Sequence, residues 1–441
     1  MKTARVRAAI QTMILASRTP RRSAFLKEFL LFTGSTLALQ GSRLGVGLVA
    51  ARLLGPTTYG WWNALSMVLT YGVVVHGGVL YGFLRDVPLF KGKGDFQQVE
   101  LTRRVAWGIV LCTSLLVSLA MGVFAAVGPM PATLRASVAS MALLFFVWQL
   151  YDYLTRYLKS DRRFVWASYQ QFAFAGLLVL LAVPMTFLLR LEGYMLGQAA
   201  VTVVISVLIA RRLPFSFKPK TDWRETRRLV RSGAPILVSG LLGGLLITVD
   251  RFVILSVLGV TELGHYSLTI MVVGFGSLVT STMATQMYPR MAEEFGRTGD
   301  YSTLRTWVLR QATITTAVTV IIVGAIYLLL PSVVQRLLPA YVPGVSAAMI
   351  ILIKLLFVPL ESALGNFLVV VGKQGYGMLA LAVAVGVNAG LAVILAKAGM
   401  GIRGVALASM VTFVGYTMVL ALVYVRVLRR RPSDGVRAMT N

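Results

Sequence analysis

The chain has 441 residues, of which 57% are hydrophobic and 13% charged, and it carries a formal net charge of +27. That much apolar surface, spread over the whole length, exceeds what soluble cores can hold; it excludes a soluble globular protein and leaves an all-α polytopic membrane protein. The single cysteine, Cys112, excludes an internal disulfide and, set in an apolar helix, has packing as its expected role.

The N-terminal tail, 1–28, is basic. Arg5, Arg7, Arg18, Arg21 and Arg22 surround Ile10, Met13, Ile14 and Leu15, which reads as an amphipathic helix on an anionic leaflet or as a disordered basic tail. No small-residue cleavage site follows a short apolar core, so the first span reads as a retained anchor. A span needs roughly 20 mainly apolar residues. Twelve segments qualify: 29–52, 60–84, 105–127, 133–158, 164–189, 193–210, 235–257, 264–288, 307–330, 344–370, 375–397 and 404–427.

In the first span, Thr33, Thr36, Gln40, Arg43 and Gly47 recur at spacings of three and four, forming one polar or small stripe on a helix. An ionised side chain at the bilayer centre costs about 2.5 to 3.5 kcal/mol on insertion scales, so Arg43 is expected to face protein, a water-filled cavity or an anionic ligand. The span closes with Leu54-Gly-Pro-Thr-Thr-Tyr-Gly60. Leu258, Gly259, Thr261 and Gly264 repeat this pattern 204 residues on, again after an apolar segment bearing charge, Asp250 and Arg251. A second repeated pair, Gly94-Asp95-Phe96 and Gly299-Asp300-Tyr301, reads as helix-joining turns at matching corners of two lobes. Neither loop has the Gly-x-x-x-x-Gly-Lys-Ser/Thr pattern of a nucleotide site. The chain divides into an N-terminal lobe, 29–210, a basic interlobe linker, 211–234, a C-terminal lobe, 235–427, and a basic tail, 428–441. After Pro219 the linker carries Trp223, Thr226, Leu229 and Val230 at helical spacing among arginines, which predicts an interfacial helix. Six spans before it and six after give parallel repeats, with a central cavity expected between them.

With twelve spans and both termini inside, tails and even-numbered connections hold 34 of the 43 Lys and Arg residues, the opposite side six, and the spans three: Arg43, Arg251 and Lys354. The positive-inside rule makes the basic side cytoplasmic, so the charge reports orientation and implies no nucleic-acid partner.

Buried ionisable residues mark the candidate site. Arg43, Gln40, Arg251 and Lys354 are the expected substrate-binding residues, and Asp250, Glu361 and Asp152 the expected ion-coupling residues. Asp152 and Arg156 are four apart, so they are also placed to pair simply with each other. Asp250 and Arg251 lie about 100° apart on their helix and cannot satisfy one another on one face. Between Lys354 and Glu361, Pro359 frees a carbonyl where the helix is expected to break or kink. The glycines at 41, 45, 240, 243 and 244 read as sites of close helix packing or bending. No metal, cofactor or catalytic constellation is implied.

The run Asp250-Arg-Phe-Val-Ile-Leu-Ser-Val-Leu-Gly259-Val-Thr-Glu-Leu-Gly264-His-Tyr266-Ser, with Leu54 to Gly60 and Arg85-Asp-Val-Pro-Leu-Phe-Lys-Gly-Lys-Gly-Asp95, resembles the bacterial polysaccharide transporters, or O-antigen flippases, of the multidrug/oligosaccharidyl-lipid/polysaccharide exporter superfamily. The resemblance covers most of the chain. It implies twelve helices in two six-helix lobes, residence in the bacterial inner membrane, and alternating-access transfer of undecaprenyl-diphosphate-linked oligosaccharide. Membrane lipids and other polysaccharide-assembly proteins are the partners it implies. A drug or cation antiporter of the same superfamily is the alternative, and a membrane glycan polymerase a more distant one. Arginine suits a lipid diphosphate, because its planar fork pairs with phosphate oxygens. The energy source is left open between ion exchange through a carboxylate and movement driven by membrane potential and glycan consumption.

Overall fold

The computed structural model describes residues 22–161, 163–213 and 218–429. The amphipathic helix expected in the N-terminal tail, the C-terminal tail from 430 and linker residues 214–217 fall outside the described residues. The described chain is helical throughout: α1 (Arg22–Tyr71), α2 (Val79–Gly92), α3 (Phe96–Val127), α4 (Ala132–Ser160), α5 (Phe164–Leu177), α6 (Val183–Arg212), α7 (Trp223–Val253), α8 (Val260–His265), α9 (Ser267–Gly276), α10 (Leu278–Thr298), α11 (Tyr301–Leu337), α12 (Val342–Leu355), α13 (Val358–Val370), α14 (Gln374–Leu395) and α15 (Gly401–Arg429). Only helices can satisfy every backbone group inside the segment that crosses lipid.

Among the described residues, eight helical stretches are long and apolar enough to span a bilayer, or nine when α12 and α13, bent by 43°, count as one. Three stretches are far too long for one crossing: Leu30–His76 and Phe164–Ala210 have 47 residues and Gln374–Arg429 has 56. Forty-seven residues at 1.5 Å each would run about 70 Å against a hydrocarbon core of about 30 Å. Each stretch is interrupted by non-helical backbone, at Gly55, at Arg190, and at Gly399 and Gly401. Divided there, the described residues supply twelve candidate crossings, which agrees with the twelve spans read from the sequence and with two six-helix lobes. Glycine enters the left-handed region at little cost, whereas Arg190, at φ 53°, adopts it against its Cβ. The arginine is held there from outside its own turn, donating through Nη1 to the Leu53 carbonyl at 2.9 Å.

The repeated motifs have the same local conformations. Gly55 (φ 73°, ψ 170°) and Gly259 (φ 94°, ψ 176°) break their helices alike. Gly94 and Gly299 both take left-handed backbone, and the following Asp95 and Asp300 cap α3 and α11 by accepting from the Gln98 and Ser302 amides at 3.0 and 2.9 Å. The glycine loops are thus helix corners, as expected.

The two copies of the first motif also meet each other. A Cβ on Gly60 would collide with the Val260 carbonyl, and one on Gly264 with the Pro56 carbonyl. The Thr57 and Thr261 hydroxyls lie 3.0 Å apart, pairing residues 204 apart in the chain. Tyr341 adds a buried hydrogen bond to the Ala51 carbonyl at 2.8 Å. At the opposite, basic end, Gly78 and Gly82 of the second crossing pack directly on Leu229, Gly233 and Ala234 of α7.

Two expectations change. Residues 223–234 form no separate interfacial helix; they are the first turns of α7. The reason is docking: Leu229 is fully buried against the second crossing, and buried Glu225 accepts from Gln98 at 2.7 Å and Thr102 at 2.6 Å. Nor do Gly41, Gly45, Gly243 and Gly244 pack closely against another helix, because among the described residues no atom outside their own turns lies within 4 Å of where their Cβ would stand, which leaves bending as the other half of that expectation. They border open space on α1 and α7, and of that group only Gly240 has a neighbour, the Tyr81 hydroxyl at 3.4 Å.

Candidate functional site

The polar stripe of α1 starts in packing. Ser35 and Thr36 donate to Gln171 of α5 at 2.9 and 3.0 Å, which fixes the rotation of α1 against that helix. Half-buried Gln40 and exposed Arg43 follow on the same stripe. The Arg43 guanidinium lies 5.6 Å from the Trp148 ring centre and 5.7 Å from that of Phe174. Tyr151 and Tyr194 complete an aromatic cup close enough to interact with its charge. Buried Tyr194 packs edge-on to Trp62 at 4.8 Å and pairs with Tyr59. Rings attract a cation through their quadrupoles without neutralising it. No carboxylate approaches Arg43 within ion-pair distance among the described residues.

The other candidates gather elsewhere. Asp250, Arg251, Lys354 and Glu361 line one cavity of ≈ 140 Å³, with Ile247, Tyr266, Ser277 and Phe413 in the same wall. Asp250 accepts from the Tyr266 hydroxyl at 2.7 Å and from Asn388 Nδ2 at 3.2 Å, and is buried. Arg251 reaches the same cavity from the next position, and its buried Nε makes no hydrogen bond among the described residues. Lys354 donates to Ser409 Oγ at 2.7 Å and lies 5.2 Å from the Phe413 ring centre. The break between α12 and α13, where Pro359 sits in the first turn of α13, lets Lys354 end one helix while Glu361 begins the next. Of the four charged side chains here, Arg251, Lys354 and Glu361 keep hydrogen-bonding capacity in a mostly apolar wall, a setting suited to an ionic ligand or a travelling ion.

Asp152 belongs to neither group. It binds Arg156 Nε at 2.9 Å, and the Arg156 guanidinium lies 4.8 Å from the Tyr81 ring centre. The sequence reading passed over Trp148, Tyr151, Phe174 and Tyr194, since aromatic residues in apolar spans look like packing. It also missed Asn388, although a lone amide in the apolar helix α14 is a legible signal.

No protein-family model matches this sequence, and no curated protein matches it. Solved structures do. A multidrug resistance MATE family transporter of the MOP superfamily, in an inward-facing conformation, is 14% identical, with a TM-score of 0.72 over 91% of this chain and 94% of its own. The lipid II flippase MurJ in an inward closed conformation is 13% identical, with a TM-score of 0.69 over 89% and 87%. A MOP superfamily transporter from Pyrococcus furiosus, described as having a binding pocket of reversed polarity, is 14% identical, with a TM-score of 0.68 over 91% and 95%. The chain therefore has the fold of these transporters.

Proposed function

We propose that this chain is a flippase that moves an undecaprenyl-diphosphate-linked oligosaccharide across the bacterial inner membrane by alternating access between lobes 29–210 and 235–427, with both termini cytoplasmic. The observation that carries this reading is the unpaired, exposed Arg43 in its aromatic cup. A diphosphate would meet the guanidinium fork, and sugar rings would stack on Trp148 and its neighbours. Gln40 beside Arg43 adds a donor to that cup, and Arg251 and Lys354 are the proposed donors of the separate cavity in the second half. Asp250 and Glu361 are the proposed coupling carboxylates; Asp152, held by Arg156, is the weakest member of that set. The likeness to a lipid II flippase supports a lipid-linked substrate, and polysaccharide-assembly proteins are its proposed partners.

A second reading, a drug or cation antiporter, has one observation in its favour: Glu361 presents a carboxylate to the cavity of the second half without an ion pair among the described residues. Reconstitution in liposomes separates the two. A labelled polyprenyl-diphosphate oligosaccharide should appear on the opposite leaflet, and Arg43→Ala should abolish this. Export of a cationic dye with no transfer of the labelled lipid would replace the flippase by the antiporter.

A further inference from the structure

At the basic end of the first lobe, α4, α5 and α6 line a groove of ≈ 190 Å³. Arg163 and Arg212 stand at its mouth, immediately outside the apolar stretch Phe164–Ala210, which places both guanidinium groups at headgroup depth. Arg212 lies 5.2 Å from the ring centre of Trp166, itself 45% exposed, and Tyr169 beside it is 55% exposed. Tryptophan and tyrosine concentrate at this level of a membrane because their rings are amphipathic. Below the mouth the groove is apolar, floored by Ala173, Ile205 and Leu208.

The charge at the mouth is only partly compensated. Asp161 is 3.9 Å from Arg163 but is already bound by Lys91 and Arg103, and Arg212 has no carboxylate within 4.0 Å among the described residues. Deeper in, the Oε1 of buried Gln170 is without a hydrogen-bond partner among the described residues. Two arginines above an apolar slot match one ligand chemistry: a phosphate ester carrying a hydrocarbon chain.

We propose that this groove is a binding site for an anionic glycerophospholipid, its phosphate held by Arg163 and Arg212 and an acyl chain laid over Ala173 and Leu208. The site is separate from the Arg43 cup but backs onto it, since Gln170 hydrogen-bonds to Tyr151 of that cup. An occupied groove would thereby brace the wall that faces Arg43.

The test is native mass spectrometry of the purified full-length chain with dioleoyl-phosphatidylglycerol, dioleoyl-phosphatidylcholine and inorganic phosphate. Phosphatidylglycerol should bind at least about tenfold more tightly than phosphatidylcholine and resist displacement by millimolar phosphate. The Arg163→Ala/Arg212→Ala variant should lose that preference, while Arg429→Ala, at another basic position, should keep it. Ala173→Trp, which fills the slot and leaves both arginines in place, should weaken both lipids. Equal binding of the two lipids, displacement by free phosphate, or an unaltered preference in the double variant would overturn the proposal. Should the double variant fail to fold, unaltered lipid binding by Ala173→Trp would overturn it as well.

Discussion

Arg43 is the residue on which a structural and a functional role can be separated. In a structural role it would neutralise a buried acid, and the buried acid that the sequence offers across the lobe interface is Asp250. That carboxylate is instead held by Tyr266 and Asn388. Removing Arg43 therefore strands no buried charge, and Arg43→Ala should change folding stability by less than about 1 kcal/mol while transport normalised to folded protein falls at least tenfold. Arg43→Lys should retain part of the activity, because a point charge replaces a bidentate fork. Loss of folded Arg43→Ala protein would return the residue to the scaffold. Asp300 allows a residue-scale pH test outside the membrane. Hydrogen bonds from the Ser302 hydroxyl and amide hold its carboxyl below the ordinary 3.8, so its cap stabilises the fold above that value and ceases to as pH falls through the lowered one. The melting difference between the wild type and Asp300→Ala should accordingly be present at neutral pH and vanish in strong acid.

At the scale of elements, the glycines divide into two kinds with opposite expected effects. Gly60 and Gly264 are where α1 and α8 touch backbone to backbone, so an added methyl forces the two helices apart. Gly60→Ala and Gly264→Ala should each destabilise the protein by about 1 to 3 kcal/mol. Gly45 and Gly243 face open space, and alanine there should stabilise the helix by about 0.5 to 1 kcal/mol, since glycine carries the larger entropy of unfolding. Thermal unfolding of the four variants checks the ordering. If Gly45→Ala is stabilised yet transports more slowly, its glycine serves bending or cavity volume instead of packing.

For the whole molecule, alternating access requires that the lobes part at the end where the two motif copies meet. Thr57 and Thr261 are close enough across that contact for a cross-link, their hydroxyl oxygens lying 3.0 Å apart. A Thr57→Cys/Thr261→Cys variant should stop transport when oxidised and recover on reduction. Undiminished transport by the oxidised form would mean that this contact never opens. The proposed orientation has its own check, because reporters fused at Gly128 or Pro339 should appear on the non-cytoplasmic side.

Much of this architecture was legible in the sequence because it is local. Apolar stretches of membrane length, the glycines at 55, 94, 259 and 299 that end helices, and the 204-residue offset each depend on a few neighbouring residues, and a helix in lipid must satisfy its backbone within itself. The break before Pro359 and the Asp152 pairing with Arg156 were readable for the same reason. Tertiary structure alone decided which polar residues share a site: Arg251, Lys354 and Glu361 meet at one cavity, and Arg43 stands apart among aromatic rings. That choice depends on how each helix is rotated against partners far away in the chain, as with Asn388 reaching Asp250 across 138 positions. Spacing within one helix carries no information about it.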